Sequence, residues 1–204
     1  NITSDSSGNG NNGTIINPTW VDGKYGKALS FNGSSFATVP DSQSLRVQNF
    51  TLETWVYLDK RPYEYGAIFP IMNKFFAGPE GDYLGWNLLF WWANSTDDNL
   101  AVLIGMGQGY LELIKYNSIN DLTLNQWHQI TATYDGYTAT LYIDGISRIS
   151  KTYSVTYGIY DLGYDLTFAK DGLWYSTFAI DEVIIYNRSL SAEEVMLHYL
   201  IPPP

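Results

Sequence analysis

The chain contains no cysteine, which removes disulfide scaffolds, thiolate metal sites and cysteine nucleophiles together. Positive charge is scarce: 11 Lys and Arg stand against 21 Asp and Glu in 204 residues, a net charge of −10. Phosphate binding depends on clustered positive charge, so no nucleic-acid partner is expected. Charged residues of both signs reach only 16%, too few for a coiled coil or a helical bundle. No apolar run approaches the roughly 18 residues that cross a bilayer as a helix, so no membrane span is expected. What the chain has in quantity is aromatic residues, at 16%, including 17 Tyr and 7 Trp. That content excludes disorder. A chain of this length buries about two-thirds of its unfolded surface and needs no disulfide or metal merely to fold.

The hydrophobic period is two. Phe50-Thr-Leu-Glu-Thr-Trp-Val-Tyr57 sets Phe50, Leu52, Thr54 and Val56 against Thr51, Glu53, Trp55 and Tyr57, a strand covered on both faces. Trp127–Tyr134, Thr138–Ile143 and Ile146–Thr152 are joined by Asp135-Gly136 and Asp144-Gly145. Asp-Gly pairs suit tight hairpins, so these three form an antiparallel meander. Further strands are expected at 28–31, 36–39, 67–74, 84–92, 100–105, 111–116, 166–169 and 178–186. One helix is expected after Ser191, where Ser191-Ala-Glu-Glu194 reads as a capping box. Val195, Leu197, His198 and Leu200 would form its apolar stripe. The class is therefore all-β: a two-sheet antiparallel sandwich with one short C-terminal helix.

Asn12, Asn32, Asn49, Asn94 and Asn187 each begin an N-x-[ST] sequon, as does Asn1. A chain rich in Asn, Ser and Thr also makes such matches by chance, so both readings stand. The polar start and the Pro-Pro-Pro end suit a piece excised from a larger surface or secreted protein. Residues 1–200 read as a single domain and 201–204 as the start of a stiff proline-rich linker.

Four stretches carry a family resemblance. They are Asp5–Gly13 followed by Gly26–Gly33, Phe50–Val56, Trp127–Gly136 with Leu141–Gly145, and Ile180–Glu194. In that order they resemble the laminin G-like branch of the concanavalin A-like jelly rolls, which also holds pentraxins and many lectin-like modules. The resemblance spans about residues 5–200 and implies a jelly roll. It does not name a ligand, because one scaffold carries many functions.

Residues 5–13 place one Asp, three Asn and three Gly in nine positions. Such a loop can converge oxygen ligands on Ca²⁺, and it can equally be a plain turn. The resemblance implies a structural calcium where this loop meets the last long strand, with Asp5, Asn9, Asp181 and carbonyls near Gly8 or Asn11 as ligands. His128 and His198 stand alone in sequence and are read as packing residues. Folds of this type include retaining glycosidases, which need two carboxylates about 5 Å apart. None of the seven Glu falls in a suitable pattern, and Asp181 and Glu182 are adjacent, hence on opposite faces of a strand. No catalytic residue is assigned.

Aromatic faces stack on the apolar side of sugar rings. Trp55, Trp86, Trp92 and Trp127 are read as core. The face carrying Asn87 and Trp91 is read as solvent-facing, and Tyr160, Tyr164, Trp174 and Tyr175 as loop residues. Trp91, Tyr160, Tyr164, Trp174 and Tyr175 are therefore the candidate ligand platform, since loops carry recognition on rigid sandwiches. The expectation is a non-catalytic, extracellular or cell-surface module, stabilised by calcium, that binds carbohydrate or a surface glycoconjugate for targeting or adhesion. The alternatives are a structural or protein-binding module of a cell-surface or filament protein, and a polysaccharide-acting enzyme.

Overall fold

The structure is a computed structural model and describes residues 2–64, 68–78, 82–91, 97–107, 111–118, 120–153, 158–160 and 163–201. In chain order its strands are β1 (Ile2–Thr3), β2 (Gly13–Ile16), β3 (Thr19–Asp22), β4 (Lys27–Asn32), β5 (Phe36–Val39), β6 (Phe50–Tyr57), β7 (Ile68–Ala77), β8 (Tyr83–Trp91) and β9 (Asn99–Met106). There follow β10 (Leu111–Asn117), β11 (Trp127–Tyr134), β12 (Thr138–Ile143), β13 (Ile146–Thr152), β14 (Leu166–Phe168), β15 (Lys170–Asp171), β16 (Trp174–Tyr175), β17 (Thr177–Tyr186) and the helix α1 (Ala192–Leu200).

Two antiparallel sheets stack as a sandwich. The larger runs β1-β2-β5-β14-β7-β8-β9-β10 and the smaller β13-β12-β11-β6-β17-β4-β3, while β15 and β16 form a separate two-stranded hairpin. The expected strands are present, the meander among them. Its second turn places Asp144 at φ 53° and Gly145 at φ 75°, the left-handed pair that matches strand twist in a two-residue hairpin. The short strands β1–β3, β15 and β16 were not expected, because two to four residues are too few to show a period.

Between the sheets Phe50, Leu52 and Val56 meet Met72, Trp86, Leu88 and Phe90 in one continuous core. β6 is covered on both faces as its pattern implies, with Glu53 and Trp55 each 2% exposed. The tryptophans divide differently from the expectation. Trp86 is core, but Trp55 stacks on Tyr199 of α1 at 5.6 Å, outside the sandwich. Trp127 is half-buried against Tyr57, and Trp92 lies outside the described residues.

The capping box forms: Glu194 N–H donates to Ser191 Oγ at 3.2 Å and Ser191 N–H to Glu194 Oε2 at 2.8 Å. The helix stripe differs from the one expected. Leu197 and Leu200 are exposed, while Val195, His198 and Tyr199 face the sheet. The spacing i, i+3, i+4 sets that face. Among the described residues no helix is long and apolar enough to cross a membrane.

Candidate functional site

Alternation along β7–β9 sends one side-chain set into the core and the other to the outer face of the larger sheet. On that outer face Ile68, Phe75, Leu89, Trp91, Ala101 and Leu103 form a second apolar cluster, separate from the core. The β15–β16 hairpin lies over it, pinned where Asn87 Nδ2 donates to Asp171 Oδ2 at 3.0 Å. Asp171 and Trp174 are cross-strand partners, so their side chains project from the same face of the hairpin. Between hairpin and sheet runs an open groove of about 340 Å³, lined by Phe75, Tyr83, Trp91, Asp171, Leu173 and Trp174 among others. Phe75 and Tyr83 stack at 6.2 Å with 21° between their planes. Trp174 is 47% and Leu173 93% exposed at the mouth.

Two of the five expected ligand aromatics, Trp91 and Trp174, thus meet in one groove. The other three lie apart from its lining. Tyr164 stacks on Phe76 at 4.8 Å. Tyr175 packs on Phe36, with Lys170 Nζ 4.2 Å from the Phe36 ring centre. Tyr160 is exposed, and its backbone closes the end of the β8–β9 pair by bonds to Gly85 and Gly105. Phe75, Tyr83 and Asp171 were missed as site residues, and Asn87 is fully buried rather than solvent-facing. The hairpin that covers it is more than 80 residues away in sequence. The Asp171-Gly172 pair was the available signal for that hairpin.

Burial pushes the Asp171 carboxyl above the usual carboxylate range, and the Asn87 amide only partly offsets this. Asp171 is the one carboxylate among the described groove-lining residues, whereas glycoside hydrolysis of the common kind requires two.

The expected calcium ligands fall into two separate arrangements. Asp5 accepts from Ser7 N–H and Ser7 Oγ and, at 2.9 Å, from Asn11 N–H. Asn9 donates to Ser7 Oγ, and Asn11 fastens the loop to Ser42 and Ser44. Asp181 serves another turn: its Oδ2 accepts from Tyr25 N–H at 2.9 Å and its Oδ1 from Glu182 N–H at 3.0 Å. Among the described residues no hydrogen bond joins Asp181 to the loop, and no three His, Cys, Asp or Glu side chains group as metal ligands. Carboxylates filled by N–H donors turn no free oxygen cage toward a cation, so this arrangement does not fit one shared calcium ion.

Three polar clusters lie elsewhere. Lys74 is buried on β7 and donates from Nζ to Asp41 Oδ1 and to the Tyr164 carbonyl, both at 2.6 Å. His198 Nδ1 lies 3.2 Å from Glu53 Oε2, and Gln129 donates to the other oxygen of Glu53. His128 Nδ1 lies 2.7 Å from Asp144 Oδ2, while its Nε2 accepts the Thr123 N–H at 3.0 Å. Both histidines are more than packing residues: each pairs with a carboxylate brought in from another element. The sequon asparagines Asn12, Asn32, Asn49 and Asn187 are exposed, and Asn94 lies outside the described residues.

A laminin G family model, described as the concanavalin A-like lectin/glucanases superfamily, matches residues 31–196. A search of curated proteins finds no match. Among solved structures the chain is similar to the binding domain of Paraclostridial Mosquitocidal Protein 1, with a TM-score of 0.74 and 23% identity over 96% of this chain and 48% of that one. It is similar to the botulinum neurotoxin serotype D binding domain at a TM-score of 0.70 and 17% identity, covering 97% and 48%. It also resembles domain 4 of AbnA, an extracellular arabinanase from Geobacillus stearothermophilus, solved with arabinotriose, at a TM-score of 0.67 and 21% identity, covering 95% and 90%. The chain spans about half the length of the toxin domains it matches. With the match over residues 31–196 and the jelly-roll sheets in place, the chain belongs to the laminin G branch of the concanavalin A-like lectin/glucanases superfamily.

Proposed function

We propose that this chain is a non-catalytic carbohydrate-binding module whose ligand lies in the groove between Trp91 and Trp174. The observation that carries this reading is the groove itself: aromatic walls, an open mouth and a single polar end at Asp171. Its volume of about 340 Å³ suits one or two sugar rings, within the range usual for small-ligand sites. Indole faces cover the apolar side of a pyranose, while Asp171 accepts from hydroxyls. The arabinanase domain solved with arabinotriose supports the reading, and so do the toxin domains described as binding domains. The module works outside the cell or at its surface, within a larger protein, where it targets or adheres. Exposed sequon asparagines suit that setting.

A glycan array followed by calorimetry tests it. Trp174→Ala and Trp91→Ala each weaken saccharide binding at least about tenfold, as truncation of a central aromatic anchor does. Tyr137→Ala, at an exposed turn of the other sheet, leaves it unchanged. Silence of the wild-type chain across the array would overturn the reading in favour of a structural or protein-binding role.

A further inference from the structure

The polar end of the groove is chemically one-sided. Among the described residues Asp171 has a single hydrogen-bond partner, Asn87, and no cation pairs with it. Its neighbour Lys170 points the other way, over Phe36 and Tyr175, because successive strand residues alternate faces. The Asn87 amide oxygen is buried without a partner. No Lys, Arg or His lines the groove among the described residues, and Lys115 lies beyond Leu113 on the far strand β10. Among the described residues the groove therefore offers the Asp171 carboxylate and no charged donor, beside four aromatic rings whose faces attract cations.

We propose that the Asp171 end of the groove receives a protonated amino group, so that the glycan bound is one carrying free amino sugars. This rests on the carbohydrate reading above and narrows it. Hydroxyl groups of a neutral sugar satisfy a carboxylate's lone pairs but leave its charge uncompensated, whereas an ammonium does both. Acidic sugars are disfavoured by like charge at Asp171 and by the net charge of −10. The cross-strand placement of Trp174 beside Asp171 puts a ring face and a carboxylate next to the same ammonium. Burial raises the Asp171 pKa, which marks a desolvation cost on its charged form that a neighbouring cation offsets.

The test is calorimetric titration, in mildly acidic buffer, of glucosamine oligomers, their N-acetylated counterparts and glucose oligomers of equal length. Glucosamine oligomers bind at least about tenfold tighter than either other series, and the margin shrinks with added salt. Asp171→Asn abolishes the margin: the glucosamine series loses at least about tenfold, and the N-acetylated series loses less, because the amide oxygen still accepts from hydroxyls. The same isosteric change raises the melting temperature at neutral pH. A carboxyl whose folded pKa is raised is destabilising above that pKa and neutral below the unfolded one, so the gain fades as pH falls. Equal or weaker binding of glucosamine oligomers by the wild-type chain overturns this inference and leaves the carbohydrate reading standing. Absence of binding to any of the three series, with a silent array, overturns both.

Discussion

Lys74 offers the sharpest test of how this sandwich is held at one end. Its side chain is fully buried, and its ammonium bridges Asp41 and the Tyr164 carbonyl at 2.6 Å each. Asp41 also accepts from Arg46 Nε at 3.0 Å, and its N–H donates to Asp165 Oδ1 at 3.0 Å. One ammonium thus ties β7 to the segment after β5 and to the loop before β14. Lys74→Met keeps most of the buried stem and deletes the charge. Breaking one partner out of a buried pair costs about 3–5 kcal/mol. Arg46 still faces Asp41, which places the cost near the lower end, at about 3 kcal/mol. For a chain of this size each kcal/mol lowers Tm by roughly 2–4 °C, so calorimetry should read a drop of about 6–12 °C. Adding Asp41→Asn to Lys74→Met removes the stranded carboxylate, and the double variant should be more stable than the summed singles by roughly 1–2 kcal/mol. Hydrogen bonds from Arg46 and Lys74 hold the Asp41 pKa below its usual value. Its contribution is therefore present above the unfolded pKa and lost as pH falls through the folded one, so the gap between wild type and Lys74→Met narrows in acid. A Lys74→Met protein within about 1 kcal/mol of wild type, or strict additivity in the double variant, would refute the reasoning.

Other outcomes follow from the same geometry. Gly85 sits at φ +78°, and a β-carbon there would lie 1.8 Å from the Lys74 carbonyl oxygen. Gly85→Ala should therefore cost more than about 3 kcal/mol from strain and clash together, and a urea melt coinciding with wild type would contradict it. Chelator treatment should leave the melting temperature unchanged, since Asp5 and Asp181 are each satisfied by N–H donors from the chain itself. A chelator-dependent fall in Tm that calcium restores would show that these residues rearrange around the ion.

The repeating architecture was legible because its signals are local. Alternation in Phe50–Tyr57, the pairs Asp135-Gly136 and Asp144-Gly145, and the box from Ser191 to Glu194 each act within a few residues, and the structure realises all of them. Trp91 and Trp174 could be picked out as half of a platform, but nothing in the pattern of either joins them. Their meeting depends on where β15–β16 falls across β8, fixed by a contact between Asn87 and Asp171 that spans 84 residues. The same holds for Lys74, which sits in an apolar strand pattern and finds its acceptor carbonyl 90 residues on. It holds for Asp181 too, claimed by the turn at Tyr25 across 156 residues. Sequence alone therefore determined the longer strands, the hairpins of the β11–β13 meander, the helix and the absence of a membrane-length apolar run, since period and turn chemistry act over a few bonds. Only the tertiary structure decided which aromatic faces remain open and which carboxylate stands beside them. Sheet order, and not local preference, brings those distant groups together.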